Sequence, residues 1–171
     1  YEHLGTRFSL QDDLAEWLKW FRYPLPPMPP YQELLDKADL GVVLPDGRAP
    51  FLHQRIGVRW LLSRRGAILA DEMGLGKTLT ALLAARAMVR TTNIQVMVIA
   101  PAGLHGHWQQ EATILNLKID LESWARLPKE LPSFGTLLIV DEAHFAQSLY
   151  SKRTQALLHL ARHPRLRAIW M

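Results

Sequence analysis

Two short stretches hold most of the residues here that could do chemistry. The first is Asp71-Glu72-Met73-Gly74-Leu75-Gly76-Lys77-Thr78, between the apolar run Gly66-Ala67-Ile68-Leu69-Ala70 and a helical pattern from Leu79 to Val89. Strand, glycine-bearing loop, Gly-Lys-Thr and helix, in that order, are the setting of a phosphate-binding P-loop. Glycine at 74 and 76 lets backbone amides close around phosphates with no Cβ in the way, and the helix N-terminus adds its dipole and unpaired N–H groups. Lys77 has the reach to meet β- and γ-phosphates, and the Thr78 hydroxyl is placed to ligate Mg²⁺. The general pattern asks for a further glycine where this chain has Asp71.

The second stretch is Asp141-Glu142-Ala143-His144, directly after Leu137-Leu138-Ile139-Val140. Adjacent carboxylates at the end of a buried strand sit where open α/β sheets bind their ligands. Asp141 is the candidate Mg²⁺ ligand, through water. Glu142 is the candidate for polarising or deprotonating an attacking water, and His144 for sensing the γ-phosphate region. Catalytic roles therefore fall on Lys77, Asp141, Glu142 and His144, with Thr78 and Asp141 as the metal pair.

These residues need a scaffold, and from residue 50 onward the chain alternates helical patterns with short, nearly all-apolar runs. Strands are predicted at 66–70, 95–100, 117–123, 136–140 and 166–171, with helices at 51–64, 77–90, 103–115 and 151–163. Continuous apolar strands between helices indicate a three-layer α/β fold with a mostly parallel central sheet covered on both faces. Before it, residues 9–23 read as an amphipathic helix, Pro24 to Pro30 as a stiff extended linker, and 31–40 as a further short helix. The expected division is a helical N-terminal segment over 1–48 and a nucleotide-binding lobe over 49–171.

Composition narrows the chemistry further. The chain has 171 residues, 49% hydrophobic and 21% charged, which excludes disorder and fibrous repeats. It contains no cysteine, so thiol nucleophiles, disulfides and cysteine-bound zinc are excluded. No apolar run approaches the roughly 20 residues that span a bilayer, so no membrane partner is expected, and the absence of cysteine is compatible with the intracellular location expected for the chain. Twenty basic residues against sixteen acidic give a net charge of +4, compatible with a polyanionic partner. His105 with His107, and His159 with His163, read as surface or capping histidines. Arg64 and Arg65 read as solvated charges. The tryptophans, including Trp108 and Trp124, read as apolar packing residues.

Taken together, the motifs resemble the helicase-like ATPases of superfamily two, and within them the Swi/Snf-type DNA translocases. Asp-Glu-Met-Gly-Leu-Gly-Lys-Thr is that family's form of the P-loop, with the aspartate at 71. The stretch from Phe51 to Leu61 resembles the family segment in which a glutamine reads the adenine edge, here Gln54, whose amide offers a donor beside an acceptor. Val98-Ile99-Ala100-Pro101, with Trp108 and Glu111, resembles motif Ia, and Asp-Glu-Ala-His is motif II. The family often has lysine where this chain has Gln147; Lys152 and Arg153 follow it.

The resemblance implies a RecA-like lobe that binds ATP with Mg²⁺ through Gln54 and residues 71–78. It implies ATP hydrolysis coupled to movement on double-stranded DNA, with a second RecA-like lobe as partner, in the cytoplasm or nucleoid of a bacterium or the nucleus of a eukaryote. It also implies that the sequence stops before motif III, so that these residues alone would turn ATP over weakly. A P-loop NTPase acting on protein substrates, or an RNA-directed helicase, are the alternatives.

Overall fold

The computed structural model describes residues 44, 46–130, 135–161 and 166–171. The helix expected at 9–23, the proline run, the pattern at 31–40 and His163 lie outside the described residues. Within them run α1 (Leu52–Leu62), β1 (Gly66–Ile68), α2 (Lys77–Thr91), β2 (Ile94–Ala100), α3 (His105–Ile114), β3 (Asp120–Ser123), β4 (Gly135–Val140), α4 (Lys152–Ala161) and β5 (Leu166–Trp170). Single 3₁₀ turns at Ala102–Leu104 and Ala143–Ala146 lead out of β2 and β4.

The five strands form one sheet in the order β1-β5-β4-β2-β3, and every pairing is parallel. An all-parallel sheet buried on both faces needs apolar side chains at successive positions, as β2 and β4 provide. Strand alternation then sorts them. Val96, Val98, Leu137 and Ile139 join one core cluster with Val58, Leu82 and Trp108 from α1, α2 and α3, while Met97, Ile99, Leu138 and Val140 join the other with Leu157 of α4 and with Trp124. The α/β architecture and parallel sheet expected from the sequence are thus present.

Several elements differ from expectation at their ends, β1 closing at Ile68 rather than 70 and α1 at Leu62 rather than 64. β3 starts at Asp120 rather than 117, because the chain first has to close α3. Asn116 adopts φ 49°, its N–H bonds to Thr113 O, and Leu117 N–H bonds back to Ala112 O, which is the Schellman arrangement. α3 itself starts at His105, the residues before it forming the 3₁₀ turn. Upstream of α1, Leu44 is only 2% exposed and packs into the α1–α3 core, and Arg48 pairs with Glu111 of α3 at 3.1 Å. Hydrogen bonds, first to Glu111 and then to Asp46, hold the Arg48 guanidinium above its ordinary pKa.

Arg64 and Arg65 are more than solvated charges. Arg65 Nε donates to Leu166 O at 3.1 Å, Ala168 N–H donates to Arg65 O, and Arg167 donates to Arg64 O, so this pair fastens the start of β1 to β5.

Because all strands run the same way, their C-terminal ends share one edge. The loop after β1, Pro101 after β2, Trp124 after β3, Asp141 after β4 and Met171 after β5 all lie there.

Candidate nucleotide site

The loop from β1 to α2 is shaped by two residues in the left-handed region, Gly74 at φ 84° and Gly76 at φ 75°. At Gly74 an added Cβ would meet open space, whereas at Gly76 it would collide with the Gln54 amide. Gly76 is also the N-cap of α2 and brings no side-chain cap, and the first turn has no acidic residue. The helix therefore presents unspent N–H groups and an unopposed positive dipole end, which suits an anion. Among the described residues Asp71 has no positive φ, so glycine is not needed there.

Lys77 leads α2. Its ammonium donates to Asp71 O at 2.7 Å and Glu72 O at 3.2 Å, holding the loop across its mouth with one N–H to spare. Both contacts use main-chain oxygens, which any residue at 71 would supply. Thr78 is half-buried, Met73 points into solvent and Leu75 is exposed. The Leu75 carbonyl accepts from Gln54 Nε2 at 3.2 Å and lies 3.0 Å from His53 Nε2. Gln54 is buried, and its Oε1 also accepts Phe51 N–H at 3.0 Å, so the amide keeps one N–H and one lone pair for other partners.

Strand alternation carries through β4 to the acidic pair. With Leu137 and Ile139 facing the α1–α3 layer, Asp141 falls on the same side, and Trp108 of α3 donates its indole N–H to Asp141 Oδ2 at 2.9 Å. Oδ1 accepts Glu142 N–H at 3.0 Å, the Asp141 carbonyl accepts the Trp124 indole N–H at 2.9 Å, and Asp141 N–H donates to Ile99 O at 2.8 Å. Trp108 and Trp124 belong to the cores on opposite faces of the sheet, and both converge on this one residue. Reading them as apolar packing was therefore incomplete. The signal was present in principle, since a buried indole N–H requires an acceptor.

Glu142 breaks the strand pattern by adopting φ 53°, ψ 48°, a conformation costing a non-glycine residue on the order of 1–3 kcal/mol. Ala143 N–H to Met171 O and Phe145 N–H to Glu142 O fix the turn. The Glu142 carboxylate lies 3.1 Å from His144 Nδ1, and both side chains are about half exposed. His144 thus meets Glu142 directly.

The loop and the acidic pair are brought to the same edge with only β5 between their strands, on the order of 10 Å apart at strand spacing. The end of β5 stitches both sides: Leu69 N–H donates to Trp170 O, and Met171 N–H to Val140 O. Among the described residues no hydrogen bond links the loop to Asp141 or Glu142. No cluster of three His, Cys, Asp or Glu residues is found among them either, so His105 and His107 form no metal site of that kind. A separate cavity of about 470 Å³, lined by Trp124, Leu127, Ser151, Lys152 and Arg153 among others, includes none of residues 71–78.

Residues 53–116, from α1 through the loop to the end of α3, match the family described as the SNF2-related domain. The match takes in the loop at 71–78 and ends before the acidic pair that follows β4. The chain is 39% identical over 79 residues to the SNF2 domain-containing protein ENL1 of Oryza sativa subsp. japonica, covering 43% of this chain and 8% of that protein. Over a longer stretch of 157 residues it is 26% identical to the SWI/SNF-related matrix-associated actin-dependent regulator of chromatin subfamily A-like protein 1 of Xenopus tropicalis, covering 75% of this chain and 16% of that protein. It is 37% identical over 86 residues to the putative ATP-dependent helicase/translocase YwqA of Bacillus subtilis, covering 45% of this chain and 9% of that protein. The chain thus spans a small part of the length of the curated relatives it matches. No helix among its described residues is long and apolar enough to cross a membrane.

Proposed function

We propose that this chain is the ATP-binding lobe of a motor that couples ATP hydrolysis to movement along double-stranded DNA. The observation that carries the reading is the pairing, across β5, of an uncapped α2 N-terminus behind Gly74, Gly76 and Lys77 with the buried, fully hydrogen-bonded Asp141. A triphosphate fits the first half, because the free N–H groups and the lysine all present positive charge to the loop. Mg²⁺ fits the second, because this ion is commonly held by one or two protein oxygens together with substrate phosphates rather than by a protein cage. Thr78 and Asp141 would hold it, and the ion would neutralise charge on the phosphate oxygens.

The chain's own residues do the rest. Lys77 exchanges its bonds to Asp71 O and Glu72 O for phosphate oxygens. Residues 71–76 wrap the phosphates with backbone N–H groups, and Gln54 offers its remaining N–H and lone pair to the adenine edge. Glu142 orients the attacking water and takes its proton as the water oxygen bonds to the γ-phosphorus and the bridging oxygen leaves with ADP. His144 holds the Glu142 carboxylate in place. A second RecA-like lobe closing on this edge completes the cleft, and the lobe itself spans 49–171, with Leu44 and Arg48 just before it packed against it.

The names of relatives support the nucleic-acid reading: one is a regulator of chromatin and another a helicase/translocase. They support work where duplex DNA is, in a nucleus or a nucleoid. The test is the protein's ATPase rate with no nucleic acid, with duplex DNA and with duplex RNA. Stimulation by duplex DNA that fades with salt is expected. Stimulation by RNA alone would favour an RNA-directed helicase, and indifference to both would favour an NTPase acting on protein.

A further inference from the structure

All four polar atoms of Asp141 are engaged, and each bond comes from a different place: the β2 backbone, the Glu142 N–H, Trp124 after β3 and Trp108 on α3. The backbone bonds and Trp124 fix where the residue sits. Only two bonds fix which way its carboxylate faces, the Glu142 N–H on Oδ1 and the Trp108 indole on Oδ2. Trp108 is fully buried, and packing alone would be served by any large apolar ring there. The indole adds a donor to the carboxylate of a residue only 8% exposed, where a buried oxygen without a partner is costly. Held at both oxygens, the carboxylate cannot swing about its last torsion.

We propose that Trp108 is a positioning residue for the metal-facing carboxylate: its indole N–H on Oδ2 sets the plane in which Asp141 meets Mg²⁺. The inference rests on the nucleotide reading above and deepens it. Partners that orient a metal ligand typically change metal affinity by roughly 10–100-fold when removed. The signature of this role is a loss confined to the metal-dependent part of nucleotide binding. A purely structural role would weaken binding with and without metal alike.

The experiment replaces Trp108 with 3-benzothienylalanine, which keeps the shape of the indole and puts sulfur where the N–H was, alongside Trp108→Phe. Calorimetry then measures the affinity of the chain for the non-hydrolysable analogue β,γ-imido-ATP, once with excess Mg²⁺ and once with EDTA. In the unaltered chain Mg²⁺ tightens binding. In the benzothienyl chain that gain is expected to shrink about tenfold, while the affinity in EDTA stays within about twofold. An undiminished gain, or equal weakening in both conditions, overturns the proposal. If Trp108→Phe fails to fold, the isosteric chain carries the comparison. If the unaltered chain binds no analogue under either condition, the nucleotide reading itself fails. If it binds the analogue but gains nothing from Mg²⁺, that reading's phosphate half stands and the metal-positioning role is overturned.

Discussion

The indole nitrogen of Trp108 lies 2.9 Å from Oδ2 of Asp141, joining the middle of α3 to the end of β4 inside a core with no other buried charged residue among those described. Its counterpart from the opposite face is Trp124, bonded to the same residue's carbonyl. The tip of β4 is therefore gripped from both layers of the fold.

That grip has a stability consequence at Trp124. Trp124→Phe keeps most of the ring and leaves the Asp141 carbonyl without its side-chain donor. The expected cost is about 1–3 kcal/mol, the range for a buried group left unsatisfied. Urea unfolding monitored by circular dichroism checks it, and an unchanged midpoint would mean that water replaces the indole.

The two loop glycines should respond differently to the same change. Gly74→Ala meets open space and loses only about 1–2 kcal/mol for the left-handed backbone, while Gly76→Ala adds a collision with Gln54 and costs more. Melting temperatures of the two variants test the order. Equal losses would show that Gln54 moves aside freely.

Asn116→Ala should destabilise the fold by about 1 kcal/mol, because alanine tolerates the left-handed cap of α3 poorly, while Asn116→Gly should be near neutral. Neither should alter nucleotide affinity, since the cap is at the opposite end of α3 from the sheet edge that carries the loop. A binding change comparable to that of a loop variant would argue against this separation.

Much of this was legible in the sequence, for physical reasons that differ between elements. Val96 to Ala100 and Leu137 to Val140 announce buried parallel strands because both faces of such strands must be apolar, and Gly76-Lys77-Thr78 announces a strand-to-helix phosphate turn because few other arrangements need those types in that order. The β3 boundary was not legible, since Asn116 gives no warning that it will take the cap position and delay the strand. Nor were the partners of Arg65, Trp108 and Trp124. Those contacts span residues distant in sequence and depend on which strands become neighbours, a question of sheet order that composition and periodicity leave open. The Asp71 departure from the general loop pattern became intelligible only with the backbone in view, where its carbonyl, not its side chain, meets Lys77.

Whether residues 71–78 hold the phosphates of ATP is decided by the affinity of the chain and of Lys77→Ala for β,γ-imido-ATP with Mg²⁺. At least a tenfold loss is expected for the variant, about 1.4 kcal/mol or more, with the fold retained by circular dichroism. Equal affinity in the two chains would contradict it.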